Sequence, residues 1–151
     1  MTAVPAAPES ELSTGLLLFL PYRALESRIF AVLAEAGFDD FTPAQARVLQ
    51  RVGPDGTRLT ELAEQAQITK QTAGFLVDQL EKAGYVTREP DPSDRRARLV
   101  CLAERARAAQ PVAARVVAEV EAEWEAYLGK RRMAQLRQAL TLLREITDPY
   151  A

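Results

Sequence analysis

Residues Leu59–Leu102 read LTELAEQAQITKQTAGFLVDQLEKAGYVTREPDPSDRRARLVCL, and the rest of the chain is ordered around them. The first part predicts two short helices joined by a tight turn. Leu62, Ala63 and Ala66 form a small apolar stripe with Thr60 as the expected N-cap, and Ala66-Gln67-Ile68 makes the turn. Thr69 is expected to cap the second helix. There Ala73, Leu76, Val77 and Leu80 fall at i, i+3, i+4 and i+7 and define one buried face. Gln71, Phe75, Asp78 and Lys82 lie on the other side, and Gly84 closes the helix.

The start of the second helix, Thr69-Lys70-Gln71-Thr72, places donors and acceptors where backbone N–H groups are also unsatisfied. In a helix-turn-helix, that turn meets base edges in the major groove. Glutamine suits adenine, lysine suits guanine or phosphate, and threonine methyl groups suit thymine. Gly74 leaves room for close approach of a DNA backbone. Taken alone, the same residues also fit an amphipathic helix in an unrelated bundle. The segment that follows tips the balance. Tyr85–Arg88 and Arg98–Leu102 are β-prone runs flanking a Pro/Asp/Ser cluster, which predicts a hairpin with a longer loop. Arg88, Arg95, Arg96 and Arg98 concentrate on it, diluted by Glu89, Asp91 and Asp94. Asp94, two residues before Arg96, is expected to hold one guanidinium, leaving Arg95 or Arg96 aimed at a narrow minor groove.

The order helix, turn, helix, LVDQLEKAGYV and then DPSDRRARLV resembles the MarR family of bacterial winged helix-turn-helix regulators. The likeness is close over Leu59–Leu102 and looser over the helical flanks. It implies a mainly α fold with a small β-hairpin wing and long N- and C-terminal dimerisation helices. It also implies a homodimer that binds pseudo-palindromic double-stranded DNA and leaves it when a small ligand or oxidant binds. The expected DNA-contacting set is Thr69, Lys70, Gln71, Thr72, Gly74, Phe75, Arg88, Asp94, Arg95 and Arg96. Members of the family commonly take aromatic or amphipathic effectors between the dimer helices and the DNA-binding lobe. Phe19, Tyr22, Arg23, Phe30, Phe38 and Arg47 are the candidate ligand contacts. Two departures stand out. Phe75 occupies a position that is often polar or basic in the family. Leu102-Ala103-Glu104-Arg105-Ala106 replaces the usual Leu-Thr-Glu-x-Gly, so the helix after the wing lacks its threonine cap.

Composition bounds the alternatives. With 151 residues and 48% apolar content, the chain makes one domain, or one lobe with helical extensions. Leu16–Leu20 is short, lacks a positive segment ahead of it and is interrupted by Pro21. Neither a membrane span nor a signal peptide is expected, and the cytoplasm is the expected compartment. One cysteine and no histidine argue against a disulfide framework and a zinc site, and no cofactor is expected. Cys101, on the second wing strand, is read as inert. No phosphate loop or nucleophile elbow suggests an enzyme. The net charge of −2 is low for a nucleic-acid binder, although Arg88–Arg98 is locally positive. That charge, with Phe75, favours the second reading, a winged-helix module that meets another protein and binds no specific DNA.

Outward from the lobe, residues 1–11 are expected to form a flexible Pro/Ala-rich arm. Leu12–Ala36 predicts a helix with Leu18, Tyr22, Leu25, Ile29, Val32 and Leu33 on one face. Pro21 should kink it or mark its regular start, and Gly37 should stop it. Thr42-Pro43-Ala44-Gln45 is a capping box, with Val48, Leu49 and Val52 facing inward and Gly53–Gly56 a loop. After the wing, a helix is expected from Glu104 to Leu128 with a kink or break at Pro111 and a seam through Val116, Val120 and Trp124. Gly129 then separates a last helix bearing Met133, Leu136, Leu140 and Leu143. Residues 12–41 and 103–151 are therefore assigned to dimerisation and 42–102 to the DNA-binding lobe. Two such seams exceed what so small a lobe can bury, and a C₂ partner is the economical cover.

Overall fold

The computed structural model describes residues 11–40 and 42–148, so the expected arm lies outside the described residues except for Glu11. Six helices and three short strands follow one another over this span: α1 (Thr14–Glu35), α2 (Pro43–Leu49), β1 (Thr57–Arg58), α3 (Leu59–Ala66), α4 (Lys70–Lys82), β2 (Val86–Asp91), β3 (Asp94–Leu102), α5 (Glu104–Leu128) and α6 (Lys130–Thr147). The fold is a winged helix-turn-helix carrying long helices at both ends.

Local chemistry sets most boundaries. Ser13 Oγ accepts the Leu16 N–H at 3.1 Å and starts α1. Thr42 and Gln45 form the expected reciprocal capping box, with Pro43 at the first helical position of α2. Thr69 Oγ1 accepts the Thr72 N–H at 3.0 Å to start α4. Gln67, at φ 56° and ψ 47°, makes the left-handed turn between α3 and α4. The glycine stops also hold: Gly37 follows the end of α1 with φ 97°, and Gly129 separates α5 from α6 with φ 90°.

Three expectations need correction. Thr60 lies inside the first turn of α3, whose N-cap is Arg58 with no side-chain cap bond. The helix starts directly off strand β1, which positions the backbone without a cap. Pro21 and Pro111 sit inside α1 and α5, so Pro21 does not mark the start of α1 and Pro111 does not break α5. Both are exposed, so solvent can meet the carbonyl that each leaves unpaired. The wing turn is tighter than expected, because β2 and β3 extend to Asp91 and Asp94 and leave only Pro92 and Ser93 between them.

The sheet has the order β1-β3-β2, all antiparallel, with Thr57 opposite Val100, Val86 opposite Leu102 and a bulge at Pro90/Asp91. Strand β1 was not anticipated. Two residues are too few to show alternation. The core gathers Val48, Leu62, Val77, Leu80, Tyr85, Val86 and Val100, all fully buried.

Arg105, the second residue of α5, joins several of these elements. Its guanidinium donates to Asp40 Oδ2 at 2.6 Å, to the Ala83 carbonyl at 2.9 Å and to the Gly37 carbonyl at 3.1 Å. It stacks 4.7 Å from the centre of the Tyr85 ring. The ends of α1 and α4, the start of β2 and the start of α5 are thereby fixed to one another.

Candidate nucleic-acid interface

Helix α4 buries Ala73, Val77 and Leu80, as its periodicity requires. Lys70, Gln71, Thr72, Phe75 and Asp78 are left exposed on its other side. Gly74 is half-buried and faces Leu59 Cδ2, 3.7 Å from where a Cβ would stand. Its small size therefore serves helix packing as well as any external approach. Gln79 accepts a 2.7 Å bond from Gln45 Nε2, and Gln45 is itself buried. This tie sets α2 against α4 and leaves the first turn of α4 open.

The wing is held against α4 by Arg88. Its guanidinium donates to Glu81 Oε1 at 2.6 Å and to Asp78 Oδ1 at 2.8 Å. Arg88 is thus engaged within the lobe, and its expected contact with DNA competes with two carboxylates. The tip is organised by Asp91, which the sequence reading treated only as a diluting charge. Asp91 Oδ1 accepts the Ser93 N–H and Oγ, each at 2.8 Å, and Oδ2 accepts Arg58 Nε at 2.8 Å. These donors, Ser93 first and Arg58 after it, hold the Asp91 carboxyl below the usual carboxylate range.

Asp94 does not grip the Arg96 guanidinium. Its Oδ1 accepts the Arg96 backbone N–H at 3.0 Å, because a short carboxylate at the start of β3 reaches its own strand first. Arg95 and Arg96 are both exposed, and neither guanidinium forms an ion pair among the described residues. The arrangement offers a polar helix start and an arginine tip in fixed relation. That is the geometry a major-groove reader with a flanking backbone or minor-groove contact requires.

Comparison with known proteins agrees. The family model described as MarR family matches residues 39–97. The transcriptional repressor CouR, solved on a 23-mer DNA duplex, superposes with a TM-score of 0.70 at 27% identity, covering 94% of this chain and 99% of that one.

The chain is similar to the MarR family over residues 39–97, and its fold is similar to that of CouR along nearly its whole length.

Within that family, the Mycobacterium tuberculosis MarR family protein Rv2887, solved with salicylic acid, is similar at 27% identity and a TM-score of 0.62. That match covers 88% of this chain and 97% of that one. The uncharacterized HTH-type transcriptional regulator YcgE of Bacillus subtilis (strain 168) is 45% identical over 51 residues. Those residues are 34% of this chain and 32% of YcgE, so the match spans about a third of that curated relative. MarR-family proteins are DNA-binding regulators and not enzymes. No helix among the described residues is long and apolar enough to cross a membrane.

The effector candidates divide in this structure. Tyr22 and Phe30 line a cavity of about 280 Å³ between α1, α2 and α5. Arg47 stands beside it, 3.7 Å from Glu26, without lining it. Phe19, Arg23 and Phe38 do not line it. Phe19 and Arg23 are exposed on α1, and Phe38, turned past Gly37, packs on the lobe core 5.9 Å beneath Arg105. Glu26, which the sequence reading missed, does line it. Its one signal is helical spacing, since it lies four residues from both Tyr22 and Phe30.

Cys101 lies partly buried on β3 and opposite Thr87. Burial, then the charge of Glu89, pushes its thiol above the ordinary range, the reverse of what a reactive thiolate needs.

Proposed function

We propose that this chain is a transcriptional regulator that binds a pseudo-palindromic duplex as a homodimer and is released by a small aromatic or amphipathic effector, acting as a repressor. The observation that carries the reading is the exposed first turn of α4 beside a wing that Arg88 fixes in place and that presents Arg95 and Arg96 without ion-pair partners among the described residues. Thr69, Lys70, Gln71 and Thr72 then meet base edges, Gly74 and Phe75 lie along the groove, and Arg95 and Arg96 meet phosphate or the minor groove. Asp94 orders the tip through the backbone, and Arg88 acts chiefly by positioning.

Dimerisation through residues 12–41 and 103–151 is supported by apolar surface that one chain leaves uncovered. Leu17, Leu18, Trp124, Tyr127, Leu136 and Leu140 border a groove of about 460 Å³ between α1, α5 and α6. Tyr127 on this groove is 90% exposed, and its neighbours make the apolar surface contiguous. A two-fold partner covering this groove sets two α4 helices about 34 Å apart, one turn of DNA. Effector binding is supported by the cavity that Tyr22 and Phe30 line, together with the salicylic acid bound by Rv2887.

The test is selection from a random duplex library, followed by salt-titrated anisotropy on the winner. A pseudo-palindrome with half-site centres about ten base pairs apart is expected. No enrichment, with binding that vanishes at moderate salt, would replace this reading with a protein-contact module.

A further inference from the structure

The cavity between α1, α2 and α5 is walled by apolar side chains, among them Leu25, Ile29, Phe30, Leu49 and Val117. Tyr22, Gln50 and Gln110 add neutral polar groups, and Glu26 is its single charged lining residue among those described. The Glu26 side chain is only 20% exposed. Its Oε2 accepts the Tyr22 hydroxyl at 3.2 Å and stands 3.7 Å from Arg47 Nη2, outside good hydrogen-bond reach. Its Oε1 has no hydrogen-bond partner among the described residues.

The two charges at this site are not equivalent. Arg47 is 55% exposed and does not line the cavity, so it can turn to water at little cost. Glu26 is largely covered and stays with the occupant. A carboxylate ligand would bring a second negative charge against Glu26 in a poorly solvated space. An ammonium ligand would meet a carboxylate oxygen already desolvated and free to accept. Burial, then the Glu26 charge and hydrogen bond, raises the Tyr22 hydroxyl above its ordinary value against the opposing charge and hydrogen bond of Arg47, so it remains a donor to Glu26.

We infer that this cavity takes an aromatic or alkyl amine, its ammonium on Glu26 and its apolar body against Leu25, Ile29, Phe30 and Leu49. The inference rests on the effector reading above and gives that site a charge preference opposite to the acid bound by Rv2887. It also suggests a route to the lobe: an ammonium on Glu26 displaces Arg47, which belongs to α2, and α2 is tied to α4 through Gln45 and Gln79.

Three probes of one shape test it on the full chain by calorimetry: 2-naphthylmethylammonium, 2-naphthoate and the neutral 2-naphthylmethanol. The amine is expected to bind the wild type at least about tenfold more tightly than the acid, a difference suited to one close charge pair. Glu26→Gln should abolish the preference while melting like the wild type, and Glu26→Asp should restore part of it. Arg47→Ala should leave amine binding intact. Tighter binding of naphthoate, an unchanged preference in Glu26→Gln, or no binding of any probe would overturn the inference. Operator affinity separates it from the broader reading. Glu26-dependent amine binding with no effect on the duplex would sustain the amine site and end its role as effector site. Release of the duplex by naphthoate alone would do the reverse.

Discussion

Arg58 and Asp91 close the base of the wing, with Arg58 Nε 2.8 Å and Nη2 2.7 Å from the same oxygen, Asp91 Oδ2. Arg58 is the last residue before α3, and Asp91 is the last of β2 and only 8% exposed. One guanidinium thus ties the start of the helix-turn-helix to the wing tip, and Ser93 satisfies the other carboxylate oxygen. Arg58→Ala and Asp91→Ala should each weaken binding to every duplex by about three- to tenfold, because they loosen the element that carries Arg95 and Arg96. Anisotropy at fixed salt on variants that melt cooperatively is the measurement. Wild-type affinity in both would remove the wing-tip role from this pair.

Arginines at the tip and side chains on α4 should separate by sequence dependence. Arg95→Ala and Arg96→Ala should weaken operator and random DNA alike and lower the salt slope by about one each. Gln71→Ala should cost on the order of tenfold at the operator and little on random DNA. Equal losses on both duplexes for Gln71→Ala would argue against base reading there.

Phe75 is the one large apolar side chain of the winged helix-turn-helix that stands open among the described residues, at 55% exposure. On a reading helix its natural partner is the thymine methyl group. Replacing thymines by uracil one at a time should lower wild-type affinity by about threefold or more at one position per half-site. Phe75→Ala should be insensitive to that replacement. A uniform uracil response in both proteins would exclude the contact.

The Tyr85 hydroxyl donates a 2.5 Å bond to Asp40 Oδ1, and Arg105 binds the other oxygen. Burial works to raise the Asp40 carboxyl, but the hydrogen bonds of Tyr85 and Arg105 and the charge of Arg105 outweigh it, and the net shift is downward. A lowered acid stabilises the fold above its unfolded value, about 3.9, and that contribution is lost as pH falls through the folded value. The Tyr85 phenol is raised, by burial first and then by Asp40. Its contribution is complete below about 10 and lost as pH rises through the folded value. Asp40→Asn should therefore lower the melting temperature near neutrality and flatten its decline in acid. Tyr85→Phe should cost about 1–2 kcal/mol, the hydroxyl being buried with its partner. An acid limb in Asp40→Asn as steep as the wild type's would show that Asp40 does not carry it.

Removal of residues 130–151 should abolish the dimer and tight operator binding together, because α6 supplies Leu136 and Leu140 to the open groove. Sedimentation at micromolar concentration decides this. A dimeric truncated chain with normal operator affinity would place the interface elsewhere.

Sequence alone determined which segments are helical and where they stop, because those outcomes depend on neighbours a few residues away. The Thr42–Gln45 box, the Thr69 cap, Gly37, Gly84 and Gly129, and the spacing of Ala73, Val77 and Leu80 all act locally. The polar start of α4 and the arginines of the wing were legible for the same reason. What only the tertiary structure decided is which charged groups meet. Arg58 finds Asp91 across 33 positions, Arg105 finds Asp40 across 65, and Asp94 turns to its own strand instead of to the Arg96 guanidinium. Carboxylates and guanidiniums are alike in sequence, and long side chains choose among several partners by distance and burial. The same holds for Glu26, which becomes a cavity carboxylate only when α1, α2 and α5 close around it.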